Sequence, residues 1–203
     1  LTYTILKRTW WGGPPWNSWI VALLPLMGRL VDKNYHPADF VSFKNPHSIA
    51  FFLTVAAIFF AYANFVVMGY FKDISADRKT GYKTFPVVFG WPANAVYSDI
   101  VALLAAALTG FSIVLIGISR SFSIVGISVF FIAAAVNLWA QIKIHKTRDE
   151  RKSHGPITNV VRAFILYCSA IVLSLQAKWL VFMIVFYLLF ELSLKLRPEK
   201  TQV

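Results

Sequence analysis

Charged residues and cysteine are both scarce in this sequence. Of its 203 residues, 14% are charged and 58% are hydrophobic, and the mean hydropathy of +0.62 exceeds what a water-soluble domain can cover with polar surface. A soluble domain and a disordered tail are therefore excluded. The single cysteine, Cys168, cannot form an internal disulfide, which excludes a secreted disulfide scaffold and a cysteine metal cluster. The composition predicts an integral membrane protein.

Apolar stretches with few charges recur along the whole chain. A helix that rises about 1.5 Å per residue needs roughly 20 residues to cross the hydrocarbon core of a bilayer. Helices satisfy their own backbone hydrogen bonds in lipid, and the stretches lack the two-residue alternation of barrel strands. We therefore predict an all-α transmembrane fold, a bundle of about six membrane-spanning helices over residues 16–31, 49–71, 93–118, 122–142, 160–175 and 179–196.

Basic residues fall mainly on one side of this predicted bundle. The chain has 20 Lys and Arg against 9 Asp and Glu, a net charge of +11. Alternating the six spans places 5 basic residues on one side, Arg29, Lys33, Lys44, Arg120 and Lys178, and 15 on the other, Lys7, Arg8, Lys72, Arg78, Lys79, Lys83, Lys143, Lys146, Arg148, Arg151, Lys152, Arg162, Lys195, Arg197 and Lys200. Cytoplasmic loops are enriched in Lys and Arg, so the larger set is predicted to be cytoplasmic. The charge therefore requires no nucleic acid, and it would attract anionic headgroups or a diphosphate.

The loop after the second predicted span carries the residues best suited to chemistry. If the helix continues through this loop, Asp73 and Asp77 lie one turn apart on the same face. Two carboxylates with no His or Cys nearby suit a hard cation such as Mg²⁺, which keeps waters and takes further ligands from a phosphate. Arg78, Lys79 and Lys83 would neutralise a departing diphosphate. The alternative is an ordinary solvated loop whose acids pair with neighbouring cations.

Two motifs in the sequence resemble those of a known family. The run Asp73-x-x-x-Asp77-Arg78-x-x-Gly81-x-x-Thr84-x-Pro86, which ends in Phe89-Gly90, resembles the second aspartate-rich motif of the UbiA superfamily of intramembrane prenyltransferases. Near the N-terminus, Tyr3-x-x-x-Lys7-Arg8 resembles the Tyr-x-x-x-Lys-Arg of the same family. The order and spacing of the two motifs agree with the family pattern.

The resemblance implies a Mg²⁺-dependent reaction within the membrane. An isoprenyl group would pass from an isoprenyl diphosphate to an aromatic or lipid-like acceptor, through an allylic carbocation. Asp73 and Asp77 would bind the Mg²⁺. A catalytic role falls to Lys7, which would contact the diphosphate, and to Tyr3, which would hydrogen-bond the diphosphate or face the carbocation. Substrate-binding roles fall to Arg8, Arg78, Lys79, Lys83 and Tyr70. Tyr70 and Phe71 are candidates for the wall of the cavity, or for aromatic anchors at the membrane interface.

One part of the family pattern is missing from this sequence. The family has nine transmembrane helices and a first aspartate-rich motif, Asn-x-x-x-Asp-x-x-x-Asp, which does not occur here. The six predicted spans would then be helices four to nine, the C-terminal two-thirds of the protein. Residues 1–203 would form one integral-membrane domain that is truncated at its N-terminus. We expect such a fragment to be inactive alone, because half of its metal site would be absent.

Ionisable residues within the predicted spans are few. Arg162 either snorkels to the cytoplasmic face or contacts substrate. Asp99 is either a functional intramembrane acid or a residue at a wet helix start, and Glu191 is predicted to be interfacial, beside Lys195. The histidines are predicted to lie in loops without a metal role, at positions His36, His47, His145 and His154.

Two other functions stay open on the sequence alone. The chain could be a small multi-pass transporter or channel, although transporters favour charged sites at the midplane on broken helices. It could also be a non-catalytic membrane scaffold that truly lacks the first aspartate motif. The upstream coding sequence discriminates among the three, because three further spans with an Asn-x-x-x-Asp-x-x-x-Asp loop would support the prenyltransferase.

We predict that positions 75 and 150 lie on the same, cytoplasmic side of the membrane, because 15 of the 20 basic residues fall on that side. Cysteines introduced singly by Ser75→Cys and Glu150→Cys should react with a membrane-impermeant thiol reagent from the cytoplasmic side of oriented vesicles. Labelling of the two positions from opposite sides would contradict this topology.

Overall fold

The protein is all-helical over the part that the structure describes. The computed structural model describes residues 6, 8–31 and 46–196; 89% of these residues are helical, and no strand occurs among them. The all-α fold predicted from the sequence is therefore confirmed. The seven helices are α1 (Gly13–Leu30), α2 (Pro46–Gly69), α3 (Ile74–Thr80), α4 (Phe85–Ser119), α5 (Ile124–Lys146), α6 (His154–Leu175) and α7 (Leu180–Leu196).

Five of these helices are long and apolar enough to cross a membrane. They are α2, α4, α5, α6 and α7, some of them extended by a short 3₁₀ turn. Helix α1 corresponds to the first predicted span, but Pro25 and Arg29 lie within its 18 residues, and it does not reach the apolar content of the other five. The prediction of about six membrane spans is therefore consistent with the structure, which has five strongly apolar helices and α1.

Several helices extend beyond their apolar segments. Helix α6 begins at His154 rather than at residue 160, and α5 continues to Lys146 rather than ending at residue 142. Polar residues continue a helix as readily as apolar ones once the chain has left the hydrocarbon, so hydropathy marks only the buried length. The prediction that the histidines lie in loops was wrong for His47, His145 and His154, which occupy helix ends; His36 lies outside the described residues.

The bundle is built around α2. This helix packs along α1 and α4 and also contacts α6, while α5 packs along α6. In the middle of the bundle, small side chains surround one large aromatic residue: Ala61, Ala105, Ala133 and Ala163 pack with Tyr167. Small residues allow helix backbones to approach closely, which is the main source of attraction between helices in lipid.

Polar side chains from four helices meet inside this apolar bundle. The Asn64 amide of α2 donates to Asn137 Oδ1 of α5 at 3.1 Å and accepts from Ser98 Oγ of α4 at 2.7 Å. Gln141 Nε2 donates to the same Asn64 oxygen at 3.4 Å, and Asn137 Nδ2 donates to Tyr167 Oη of α6 at 3.3 Å. We call these five residues the amide cluster. Their mutual hydrogen bonds fix the register of α2, α4, α5 and α6 against one another.

An ion pair and a histidine–aspartate contact join helices nearer the bundle surface. Arg162 of α6 donates from Nε and Nη2 to the two carboxylate oxygens of Glu191 on α7, at 2.7 and 2.8 Å. Glu191 was predicted to lie beside Lys195, which is one turn away on α7, and the structure adds the pairing with Arg162. The second contact joins α5 to α4, where His145 Nε2 lies 2.6 Å from Asp99 Oδ2. Asp99 therefore contributes to a contact between two helices.

Asn64→Ala should lower the free energy of unfolding by about 2 kcal/mol, because it leaves several buried partners without a hydrogen bond where no water can replace it. Unfolding by added SDS, followed by circular dichroism in mixed micelles, measures the change. Ser193→Ala is the matched control, because its hydroxyl donates only to the backbone of its own helix, at Leu189 O. Equal stability of the two variants would show that the amide cluster does not hold the bundle together.

Candidate functional site

The two aspartates flank a break between helices. The sequence left open whether α2 continues through this loop, and it does not. Helix α2 ends at Gly69, a 3₁₀ turn follows over Tyr70–Lys72, and α3 begins at Ile74. Asp73 is the N-cap of α3, with φ −109° and ψ 5°. The backbone N–H of Asp77 donates to Asp73 O at 2.7 Å. Asp73 and Asp77 are therefore still one helical turn apart, as the metal prediction required.

Thr84 fixes the orientation of the second aspartate. Its side chain is 1% exposed, and Oγ1 donates to Asp77 Oδ2 at 2.8 Å. The backbone of the same aspartate is held as well, because Tyr82 N donates to Asp77 O at 2.8 Å. Thr84 stood in the sequence motif without an assigned role, since only the folded loop shows that residue 84 returns to residue 77. Its contact restricts the Asp77 carboxylate before any ligand arrives.

Two glycines allow the loop to turn back toward the membrane. Gly81 ends α3 with φ 75°, and its N–H donates to Arg78 O at 3.4 Å. Gly90 has φ 83° and ψ 172°, and it interrupts α4 after its first five residues. Residues with a Cβ rarely adopt these angles. Both positions therefore favour glycine, and together they separate the segment 82–89 from α3 on one side and from the long remainder of α4 on the other.

The N-terminal segment lies against this loop. Arg8 O accepts a hydrogen bond from Lys83 N at 2.9 Å, and the Arg8 guanidinium carbon lies 5.5 Å from the centre of the Tyr82 ring. The Trp10 ring packs edge-on against Phe89, with centroids 5.3 Å apart. Arg8 of the N-terminal motif thus lies beside the aspartate motif, although Asp73 is 65 residues further along the chain. Tyr3 and Lys7 lie outside the described residues, so their catalytic roles stay predictions.

The remaining predicted cations are exposed around the aspartates. Arg78 and Lys79 occupy the last turn of α3, where positive charge is favoured by the helix dipole. Lys83 follows on the exposed side of the loop. These side chains and Arg8 are exposed, so together they place positive charge around the loop.

The aromatic residues before Asp73 belong to the protein interior. Phe71 is fully buried, and its ring centroid lies 4.4 Å from that of Trp91. It is a core residue, so its assignment as a cavity wall or an interface anchor was wrong. Tyr70 is 9% exposed, and its hydroxyl lies so close to Gly13 of α1 that a Cβ there would overlap it. A contact between Tyr70 and substrate stays a prediction.

The donor set at this loop fits part of a magnesium site. Among the described residues, no group of three or more His, Cys, Asp or Glu is placed to hold a metal ion. Asp73 and Asp77 offer carboxylate oxygens alone, which is the ligand type that Mg²⁺ prefers, and Mg²⁺ commonly takes its other ligands from waters and a substrate phosphate. A closed zinc site would need four protein ligands and is not formed by these residues.

An open apolar cavity of about 330 Å³ lies between the start of α1 and the middle of α2. Its lining is mainly aromatic and consists of Leu6, Trp11, Gly12, Pro15, Trp16, Trp19 and Phe59. Gly12 is adjacent to Gly13, which contacts Tyr70, so the cavity begins close to the aspartate loop. The sequence does not locate it, because its walls come from the segment before α1, from α1 and from α2, and no spacing along the chain predicts their meeting.

Gly81→Ala should destabilise α3 by about 1 kcal/mol, because φ 75° is unfavourable for any residue with a Cβ. Gly69→Ala is the matched control. A Cβ added at Gly69 or at Gly81 would meet no atom of the surrounding structure within 4 Å, and of these two glycines Gly81 is the one with a positive φ. Thermal unfolding in detergent measures both variants. We expect Gly69→Ala to be neutral or slightly stabilising, and a loss at position 69 equal to that at position 81 would contradict the conformational argument.

Comparison with known proteins identifies the family. Residues 1–160 match the sequence model of the UbiA prenyltransferase family, a range that includes both motifs and helices α1 to α5. Neither the curated proteins nor the solved structures include a significant match to the chain. Because the matched range covers most of the sequence, the chain belongs to the UbiA prenyltransferase family.

Proposed function

We propose that this chain, as a member of the UbiA prenyltransferase family, serves the transfer of an isoprenyl group from an isoprenyl diphosphate to an aromatic or lipid-like acceptor in the membrane, with Mg²⁺ as cofactor. The family implies membrane prenyltransferase activity. The observation that carries the finer proposal is the aspartate loop, in which Asp73 and Asp77 stand one turn apart and Thr84 holds the Asp77 carboxylate.

Asp73 and Asp77 would hold the Mg²⁺, which supplies positive charge against the leaving diphosphate when it is bound. Arg78, Lys79 and Lys83 add positive charge around the same loop, and Lys7 and Arg8 extend it from the N-terminal segment. Each cation would stabilise the diphosphate more as its bridging oxygen gains charge. That difference between ground state and transition state is what lowers the barrier.

The reaction separates into a bond cleavage and a bond formation. The allylic C–O bond breaks, and its electron pair leaves with the diphosphate. The acceptor's nucleophilic atom then forms a bond to the allylic carbon, and the acceptor loses a proton. A water-poor site protects the cation from hydrolysis, and aromatic faces stabilise it. We propose that the apolar cavity lined by Trp16, Trp19 and Phe59 binds a portion of the isoprenyl chain.

The aspartate loop is proposed to face the cytoplasm. Ser75 in this loop and Glu150 in the loop between α5 and α6 are in hydrogen-bond contact, with Ser75 Oγ 2.7 Å from Glu150 Oε1. The two most basic loops therefore lie at one end of the bundle. This grouping supports the cytoplasmic assignment, because positive charge is retained on that side.

We propose that residues 1–203 form one integral-membrane domain whose metal site is completed by the first aspartate motif of the family. The sequence does not contain that motif, so two carboxylates would leave much of the diphosphate charge uncompensated in a low-dielectric site. Activity is therefore best assayed in the protein extended by its upstream coding sequence, with the 203-residue chain as the comparison that we expect to be inactive.

Asp73→Asn and Asp77→Asn, each made in the extended protein, should lower prenyl transfer by a factor of roughly 10² or more, because each removes a charged metal ligand while keeping the side-chain shape. Transfer of a radiolabelled isoprenyl group into lipid extract measures the rate, and EDTA should abolish it. Asp149→Asn is the control, since its side chain is exposed and accepts only from Arg151 N in its own turn. Near-normal transfer in both loop variants would remove the metal assignment.

A further inference from the structure

We propose that a cavity at the ends of α4 and α6 binds the headgroup of an anionic phospholipid. The cavity has a volume of about 270 Å³ and is lined by Arg120, Val172, Leu175, Gln176 and Trp179. The transfer reaction proposed for the aspartate loop uses none of these residues, so the two sites are independent. The ligand is a phosphate diester with a net negative charge that also carries acyl chains.

The cavity lies at the opposite end of the bundle from the aspartate loop. Helix α4 begins directly after that loop and ends at Ser119. Helix α6 begins after the turn that contains Glu150, whose carboxylate contacts the loop, and it ends at Leu175. Both helices are long enough to cross a membrane. The cavity therefore lies near the other membrane surface, where lipid headgroups are found.

Three side chains in the cavity carry N–H donors. They are the guanidinium of Arg120, the amide of Gln176 and the indole of Trp179. Within the part of the chain that the structure describes, none of these three groups forms a hydrogen bond or an ion pair with another residue. The Gln176 amide oxygen is the one side-chain acceptor in the lining, so donors are in excess. Phosphate oxygens accept hydrogen bonds and carry negative charge, and they complement such a lining.

The charge near the cavity is positive. Arg120 follows the last residue of α4, Lys178 directly precedes Trp179, and both cations are exposed. Among the residues that the structure describes, no carboxylate lies within 4.0 Å of either cation. A guanidinium can donate two parallel N–H groups to one phosphate, whereas an ammonium group acts as a point charge. Arg120, which lines the cavity, is therefore the main phosphate contact.

The apolar part of the lining favours a lipid over a free phosphate ion. Val172, Leu175 and the Trp179 ring form this part, and tryptophan is enriched where membrane meets water. The backbone holds these walls in place, because Gln176 N donates to Val172 O at 2.8 Å and Trp179 N donates to Gln176 O at 3.2 Å. A phospholipid uses both the polar and the apolar walls, whereas inorganic phosphate uses the polar ones alone.

A headgroup bound here connects the far ends of three helices. Arg120 follows α4, whereas Gln176 and Trp179 lie between α6 and α7. Helix α7 buries none of its own residues, so a phosphate that accepts from both sides of the cavity adds a restraint at its first turn. A ligand that binds only the folded protein stabilises that protein. The lipid should therefore stabilise the junction between α6 and α7.

The direct test measures the binding of dioleoylphosphatidylglycerol to the 203-residue chain in detergent, by native mass spectrometry. Arg120→Gln should weaken binding roughly tenfold, because a charge-assisted hydrogen bond is lost. Gln176→Glu keeps the side-chain shape but adds a negative charge, so it should weaken binding about as much. Lys178→Gln is the matched control, since it removes a positive charge from the same surface outside the cavity lining, and it should change binding by less than about twofold.

Two results in this series would overturn the proposal. Equal weakening by Arg120→Gln and Lys178→Gln would show that general surface charge, and not the cavity, attracts the lipid. Unchanged binding in Gln176→Glu would show that the phosphate lies elsewhere. The substituted side chains are exposed, so circular dichroism should show the same helix content in every variant.

Soluble phosphates identify the source of the bound group. Inorganic phosphate and glycerol 3-phosphate, at millimolar concentration, should leave the bound lipid in place, because neither can contact the apolar walls of the cavity. Displacement of the lipid by either compound would show a site for free phosphate and would overturn the assignment to a phospholipid.

Hydrogen exchange locates the lipid on the chain. Added dioleoylphosphatidylglycerol should slow exchange of the backbone amides in residues 172–182 about threefold in the wild type and in Lys178→Gln, and it should have no effect in Arg120→Gln. Unchanged exchange in the wild type would overturn the proposal, and so would equal slowing in Arg120→Gln.

Discussion

The absence of water inside a lipid bilayer is the constraint on which this structure depends. Polar side chains in the bundle interior can satisfy their hydrogen bonds only with one another or with backbone groups. Asn64 meets that demand by contacting Ser98, Asn137 and Gln141 at once. Since the four residues come from three helices, sliding any helix along its axis would break several bonds together. The point at which α2 reaches the membrane surface is thereby set, and with it the place of the loop that follows.

The aspartate loop is ordered by its backbone geometry together with the burial of Ile74, which packs in the core with Phe71 and Ile144. Short helical segments, two glycines with positive φ and one buried threonine confine residues 73–90, while most of the loop's charged side chains are exposed. Hydrogen bonds within the loop and the contact of Ser75 with Glu150 hold its backbone, and Thr84 holds the Asp77 carboxylate.

The sequence predicted the parts of this molecule that depend on local pattern. The apolar lengths predicted the long helices, and the spacing of Asp73 and Asp77 predicted the loop of interest. It did not predict the end of α2 at Gly69, the burial of Phe71 or the contact of Glu150 with Ser75. Each of these depends on segments that are distant in sequence, and neither hydropathy nor residue spacing carries that information. Asn64 and Asn137 were visible as amides within apolar runs, but their pairing required the packed helices.

Helix α7 has a different relation to the bundle from every helix before it. It buries none of its residues, and its bidentate ion pair from Glu191 to Arg162 is the strongest contact that it makes with α6. We therefore expect α7 to separate from the assembly of α1 to α6 without opening the core. In a bilayer such a helix exchanges its neighbours with lipid acyl chains at little cost, so its sequence is constrained by hydrophobic length far more than by shape.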